Sequence, residues 1–297
     1  MSEVTLTGLD GSNPLGLLAA LGVLEATAAR GGRLSWRDEG VWRPVLHGVT
    51  TSMDELLALL DADRQACIDD PALALAYAGV RDLKPPPAVY RAYLEGLVAR
   101  SERTTRRAVD WAAAFATDVV VDNNGNTKPT ALHFTAGKQL WLKMVVDLVG
   151  AVGPDDLRAA IVGPGRYTRE RPVWAWDATA SRDYALRASN PATEKKTGVP
   201  GADWLGVRGL ASVGVVPRGS RIVTTGCSGE WKTGHFTWPL WSRPLTLDLA
   251  RTTLRLLRPE AMTASERAAR GIETVLRSGI RRSDQGGYGS FTPALVL

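Results

Sequence analysis

Apolar and polar positions keep two rhythms along this 297-residue chain. The opening "VTLTGL" alternates with a period of two, as a strand with one buried face does, and the turn "DGSNP" follows it. Asn13 suits an N-cap and Pro14 suits the first helical position, so an apolar helix is expected from about Pro14 to Arg30. "GRLSWRDEGVWRPVLHGV" then alternates through Leu34, Trp36, Val41 and Val45 around a D-E-G turn, which predicts a hairpin packed on that helix. Ser52 and Glu55 have capping-box spacing at the head of "MDELLALLDAD", the next predicted helix.

From about Pro71 to Ala160 the pattern is mostly helical, interrupted by "KPPP" and by "VDNNGNTKPT". "HFTAGKQLWLKMVVDLVG" reads as a helix that sets Leu140, Met144 and Leu148 near one face, with Trp141 and Val145 beside them. From Arg171 to Trp241 the chain turns rich in Trp, Gly, Val and Pro, and "SVGVVP" and "SRIVTTG" read as short strands. "TLDLARTTLRLL" and "TASERAARGIETVLRSG" read as two closing helices, with Thr263 and Glu266 as another capping box. The expectation is an α+β protein: residues 1–160 an α+β domain with a helical middle, and residues 161–297 a β-rich basic domain with C-terminal helices.

Composition adds bounds. With 44% hydrophobic and 23% charged residues, a sizeable core is expected rather than disorder. Two cysteines, Cys67 and Cys227, supply no disulfide framework. The apolar N-terminal run lacks the basic residues of a signal peptide, and no stretch reaches the roughly 18 apolar residues of a membrane span, so a cytoplasmic protein without a membrane partner is expected.

Catalytic motifs fail on inspection. "AGKQ" resembles the end of a phosphate-binding loop, but position 132 is Leu where Gly is needed and position 139 is Gln where Ser or Thr is needed. "DNNGN" spaces Asp122, Asn124 and Asn126 as a calcium loop would, yet its glycine is misplaced and His133 stands where the bidentate Glu belongs; a polar turn is the better reading. His47, His133 and His235 show no metal spacing, and Cys227 has no base nearby in sequence. No catalytic residue, metal or cofactor is expected.

The formal charge of +5 favours a polyanionic partner. The stretch from Arg166 to Arg208 carries eight basic residues against five acidic ones, with Tyr167, Trp174, Trp176, Tyr184 and Trp204 between them. Cations for phosphates and flat rings for bases are what a nucleic-acid groove needs. The candidate binding residues are Arg166, Arg169, Arg187, Lys195, Lys196 and Arg208, joined by Lys138, Arg281 and Arg282. Within "YALRASNPATEKKTGVPGADWLGVRGL", Asn190, Gly198, Pro200 and Gly201 are read as shaping a phosphate-gripping loop, and Trp204 as anchoring its end in the core.

The opening "LTGLDGSNPLGLLAALGVLEA", the "ALHFTAGKQ" segment, the 184–210 stretch, and "RIVTTG" followed by "FTWPLWSRPLTLDLAR" together resemble subunits of CRISPR effector complexes, most nearly those of type I-G (formerly I-U) systems. The resemblance runs over most of the chain as an ordered series of patches. It implies a non-catalytic antiviral role, with guide RNA, target DNA or both, and other effector subunits, as partners. The helicase-nuclease of such systems uses metal and phosphate-loop motifs that this sequence lacks. Two rivals stand beside this reading: a metal-dependent nuclease whose carboxylates meet only in the fold, and a scaffold that binds another protein through an exposed Trp-rich face.

Overall fold

The computed structural model describes residues 2–102, 106–135, 137–165, 167, 169–170, 174–180, 197–256, 258–283 and 288–297. A short strand, β1 (Glu3–Thr5), leads into α1 (Pro14–Thr27), where the Asn13 side chain accepts from the Leu15 N–H. Twelve of the 14 residues of α1 are buried, and a helix apolar on every side belongs in the interior. The hairpin β2 (Arg33–Asp38) and β3 (Trp42–His47) turns at Gly40, whose φ of +82° suits glycine. α2 (Met53–Gln65) is capped by Ser52, which accepts from the Glu55 N–H; the Glu55 carboxylate accepts from the Thr50 hydroxyl instead of closing the box.

The middle of the chain forms α3 (Pro87–Arg100), α4 (Arg107–Phe115), a hairpin of β4 (Ala116–Val121) and β5 (Thr127–Pro129), then α5 (Trp141–Ala151) and α6 (Pro154–Ile161). "DNNGN" is the polar turn of that hairpin: Asp122 Oδ1 accepts from the N–H groups of Asn124 and Asn126, and Gly125 takes φ +78°. The helix expected from His133 starts only at Trp141, because Ala131 and His133 give their carbonyls to a distant arginine rather than to a helical ladder.

The second half contains β6 (Arg169–Glu170), β7 (Thr197–Gly198), α7 (Pro200–Gly209), β8 (Val215–Arg218), β9 (Arg221–Thr224), β10 (Cys227–Ser228), β11 (Gly234–Trp241) and β12 (Leu245–Thr246). α8 (Leu247–Leu254), α9 (Ala264–Ala269), β13 (Ile272–Arg282), β14 (Gly289–Phe291) and β15 (Leu295–Val296) follow. The long closing helix expected over 263–279 is thus replaced by a short one and a strand. Thr263 and Glu266 do form a full capping box, but Gly271 at φ +69° ends the turn, and Ile272, Thr274 and Val275 then extend.

The chain is α+β. One antiparallel sheet has the order β1-β3-β2-β12; the other runs β10-β11-β13-β14, with β15 also paired to β13. Trp241 joins the two sheets, meeting Trp36 edge-on at 6.3 Å and donating from its indole N–H to the Leu34 carbonyl at 2.7 Å. One apolar core takes in residues from Val4 to Phe291. No helix among the described residues is long and apolar enough to cross a membrane.

The centre of that core is α1 against α7. A Cβ on Gly22 would stand 2.0 Å from the Leu205 carbonyl oxygen, and one on Gly209 would stand 2.0 Å from that of Leu18. Each helix therefore uses glycine where the other's backbone comes closest. A Cβ on Gly201 would likewise meet the Asp156 carbonyl oxygen of α6 at 2.1 Å. All ten residues of α7 are buried.

Candidate nucleic-acid interface

The expected phosphate-gripping loop needs correction at its C-terminal end. Pro200 and Gly201 open α7 rather than shape a turn, since proline is accommodated at a first helical position and glycine permits the contact with α6. Trp204 is 1% exposed and stands edge-on to Trp111 at 6.1 Å. Arg166, Arg187, Asn190, Lys195 and Lys196 lie outside the described residues. Arg169 lies in β6 opposite Gly198 of β7, so this two-residue ladder brings the chain on either side of residues 171–196 together.

Arg208 does not face a ligand. It is 5% exposed, its Nε donates to Asp63 Oδ2 at 2.9 Å, and the Glu25 carboxylate lies 3.9 Å from its terminal nitrogen. Burial opposes its charge, but Asp63 and Glu25 outweigh that and raise its pKa. Arg251 of α8 joins the same group, reaching Glu25 at 2.8 Å and Asp110 at 2.9 Å. The five side chains tie α1, α2, α4, α7 and α8 together, and a phosphate could reach Arg208 only by dismantling that network.

Arg281 and Arg282 are neighbours on β13 and leave opposite faces of it, as successive strand residues must. Arg281 is exposed. Arg282 is braced: its guanidinium donates to the Ala131 carbonyl at 2.7 Å and to the His133 carbonyl at 3.0 Å. Its carbon lies 3.7 Å from the centre of the Trp231 ring and 5.2 Å from that of Phe134. Burial pushes its pKa down to about 10, which still leaves it positive at neutral pH.

Trp231 covers the arginine from outside. It sits in the short connection between β10 and β11, where Gly229 at φ +87° turns the chain, and it is 57% exposed. An exposed indole is more informative than an exposed aliphatic chain, because it forgoes a large apolar gain from burial. Behind Arg282 the rings continue inward: Phe134 meets Phe291 at 4.9 Å, Phe291 meets Phe236 at 5.7 Å, and Phe236 stacks on Trp238 at 5.1 Å. Lys232 follows Trp231 and is exposed. Exposed Lys138 follows Gly137, which abuts the Tyr288 hydroxyl, while the Gly289 N–H donates to the Phe134 carbonyl at 3.1 Å. Gly137 and Tyr288 thus flank the segment that braces Arg282, with exposed Lys138 next to Gly137 and exposed Lys232 next to Trp231 along the chain.

The β8–β9 hairpin is fastened to the same segment: the Ala131 N–H donates to Thr224 Oγ1 at 2.9 Å. Its tip presents exposed Arg218 and Arg221. Three positions separate Arg221 from Thr224, roughly 10 Å of extended chain. Sequence reasoning reached Lys138, Arg281 and Arg282 but passed over Trp231. The available signal was "SGEWKTG", an aromatic flanked by glycines in a segment too short to reach a core.

A concavity of about 380 Å³ opens at the head of α1 among Asp10, Ser12, Asn13, Tyr167, Asp177 and Thr179. Asp177 accepts from Tyr167 Oη at 2.6 Å, from Asn13 Nδ2 at 2.7 Å and from the Thr179 hydroxyl at 2.7 Å. Burial, then the bond to Asp177, pushes the Tyr167 phenol up to about 12. Two carboxylates make this cleft a poor host for phosphate, which favours the Trp231 neighbourhood as the interface. Burial also pushes both thiols, Cys67 and Cys227, up to about 12, so neither is a thiolate at neutral pH.

No protein-family model matches this chain, and no curated protein matches it.

Proposed function

We propose that this chain is a non-catalytic, nucleic-acid-binding subunit of a cytoplasmic RNA-guided CRISPR interference complex, in contact with guide RNA, target DNA or both. The observation that carries the nucleic-acid reading is the exposed Trp231 held over the braced Arg282 guanidinium, with exposed Lys232 next to Trp231 along the chain and exposed Lys138 five residues after His133, whose carbonyl braces the arginine. Cations bind phosphates without regard to sequence, and flat rings add contact to bases; in RNA-guided complexes, base pairing supplies most of the sequence reading. The sequence resemblance to type I-G effector subunits supports the assignment to that system.

One feature favours a protein-contact face in addition. Val119 and Val121 of β4 and Val216 of β8 are 63%, 46% and 56% exposed on two adjoining hairpins. Scattered exposed valines are ordinary, but three on contacting hairpins suit the surface of another subunit.

Binding of labelled RNA and DNA by the purified chain tests the nucleic-acid reading. Affinity should fall linearly with the logarithm of salt concentration, and Lys138→Ala should reduce the slope by about 0.7 to 0.9 if that lysine meets a phosphate. Magnesium should stimulate no cleavage. Co-expression with the neighbouring genes tests the assignment to the complex: the chain should co-purify with a guide RNA and the backbone subunits, and failure to do so removes that part of the reading.

A further inference from the structure

We infer that Trp231 stacks on an unpaired base, and that the ligand of this surface is a single strand rather than a duplex. The inference rests on the nucleic-acid reading above and specifies the ligand. One face of the indole is occupied by the Arg282 guanidinium at 3.7 Å, while the side chain as a whole remains 57% exposed. Arg282 is itself fixed by the Ala131 and His133 carbonyls, so the platform is ordered before any ligand arrives. A cation beneath the ring draws on its electron density and prepares the outer face for a second flat partner. Within a duplex, base faces are covered by their neighbours and only edges are displayed in the grooves. A single strand can splay a base onto the ring while its phosphates meet Lys138 and Lys232 alongside.

A protein partner would also cover an indole, but Arg282 beneath the ring and Lys232 beside it outnumber the one adjoining carboxylate, Glu230, and favour a polyanion. Packing alone does not account for Trp231 either, since a Leu would shield the stem of Arg282 without offering a flat face. The full chain is tested with labelled 20-nucleotide single strands and with a duplex of the same length. Trp231→Ala and Trp231→Leu should each weaken single-strand binding about 5- to 150-fold, the equivalent of roughly 1 to 3 kcal/mol per stacked base. Trp231→Phe should keep most of the affinity. The salt slope should not change in any of the three, because no cation is removed, and duplex affinity should stay within about twofold.

If the wild type binds single strands and Trp231→Leu binds them equally well, stacking is wrong while the nucleic-acid reading stands. Equal losses for single strand and duplex also overturn the inference. If the wild type binds no nucleic acid at all, the underlying reading fails and the inference with it. Thermal melting of each variant identifies misfolding, and Trp231→Phe keeps the test decisive where the Ala variant is unstable: Phe weakening single strands as much as Leu would count against stacking.

Discussion

Arg208 and Arg282 show how one residue type does two jobs according to what surrounds its five donors. Arg208 is enclosed by carboxylates and holds helices together, whereas Arg282 is held by carbonyls, and its charge has no carboxylate in contact with it among the described residues. Arg208→Ala should therefore cost about 3 to 5 kcal/mol of stability, because it leaves the Asp63 carboxylate with only Arg107, 4.0 Å away, while Glu25 keeps Arg251. The same variant should leave the salt slope of nucleic-acid binding unaltered. Denaturant unfolding and a salt titration check the two halves separately, and a changed slope in a stably folded variant would return Arg208 to the interface.

His133 and His47 supply a second test at this scale. Burial lowers the pKa of both, although Glu3, 3.6 Å from His47, and Asp82, 4.0 Å from His133, work in the opposite direction. In the unfolded chain they titrate near the ordinary value of about 6.5. Below that pH the unfolded state takes up protons that the folded state refuses, so their contribution is present above about 6.5 and is lost as pH falls toward the lowered folded values. The melting temperature should drop between pH 7 and pH 5, and His133→Gln should make the drop shallower. A melting temperature that is flat or rising over that interval would contradict the assignment.

Among the elements, the glycines of α1 and α7 govern the core. Replacing Gly209 with Ala would gain about 1 kcal/mol of helix propensity but would drive a methyl group into the Leu18 carbonyl. Overpacking against backbone should win, with a net loss of about 2 kcal/mol or more. Gly96 in α3 is the control, being exposed with nothing within 4 Å of an added Cβ; Gly96→Ala should stabilise by about 0.5 to 1 kcal/mol. Comparing the two by chemical denaturation isolates the helix contact from propensity.

These same glycines mark where the elements were legible in sequence and where they were not. Asn13-Pro14, the D-E-G turn and the Thr263/Glu266 box are local signals, set by atoms within a few residues, and the structure follows them. Gly201 and Gly209 read as breakers because their purpose is a backbone far along the chain, that of Asp156 for Gly201 and that of Leu18 for Gly209. The 272–282 strand was hidden for a similar reason: its alternation is readable only against β11, with which it pairs over nearly its whole length. Arg208 looked like a surface cation because its partners come from α1 and α2.

For the whole molecule, the boundary between residues 160 and 161 separates two helices whose backbones touch through glycine. α1 and α7 come from opposite sides of it, as do Glu25 and Arg208. Expressed separately, residues 1–160 and 161–297 should each lack a cooperative thermal transition, because each half would expose the backbone groove that the other fills. A sharp calorimetric peak from either piece would show that half to be self-sufficient.

The distribution of indoles has a spectroscopic consequence. Of the ten tryptophans, eight are buried, Trp42 is half-buried, and only Trp231 is largely open to water. Iodide, a quencher confined to the aqueous phase, should therefore extinguish a small red-edge fraction of the emission, belonging mainly to Trp231, and leave the blue-shifted remainder intact. The molecule carries its own optical reporter at the proposed interface, and occupancy there can be followed in unlabelled protein.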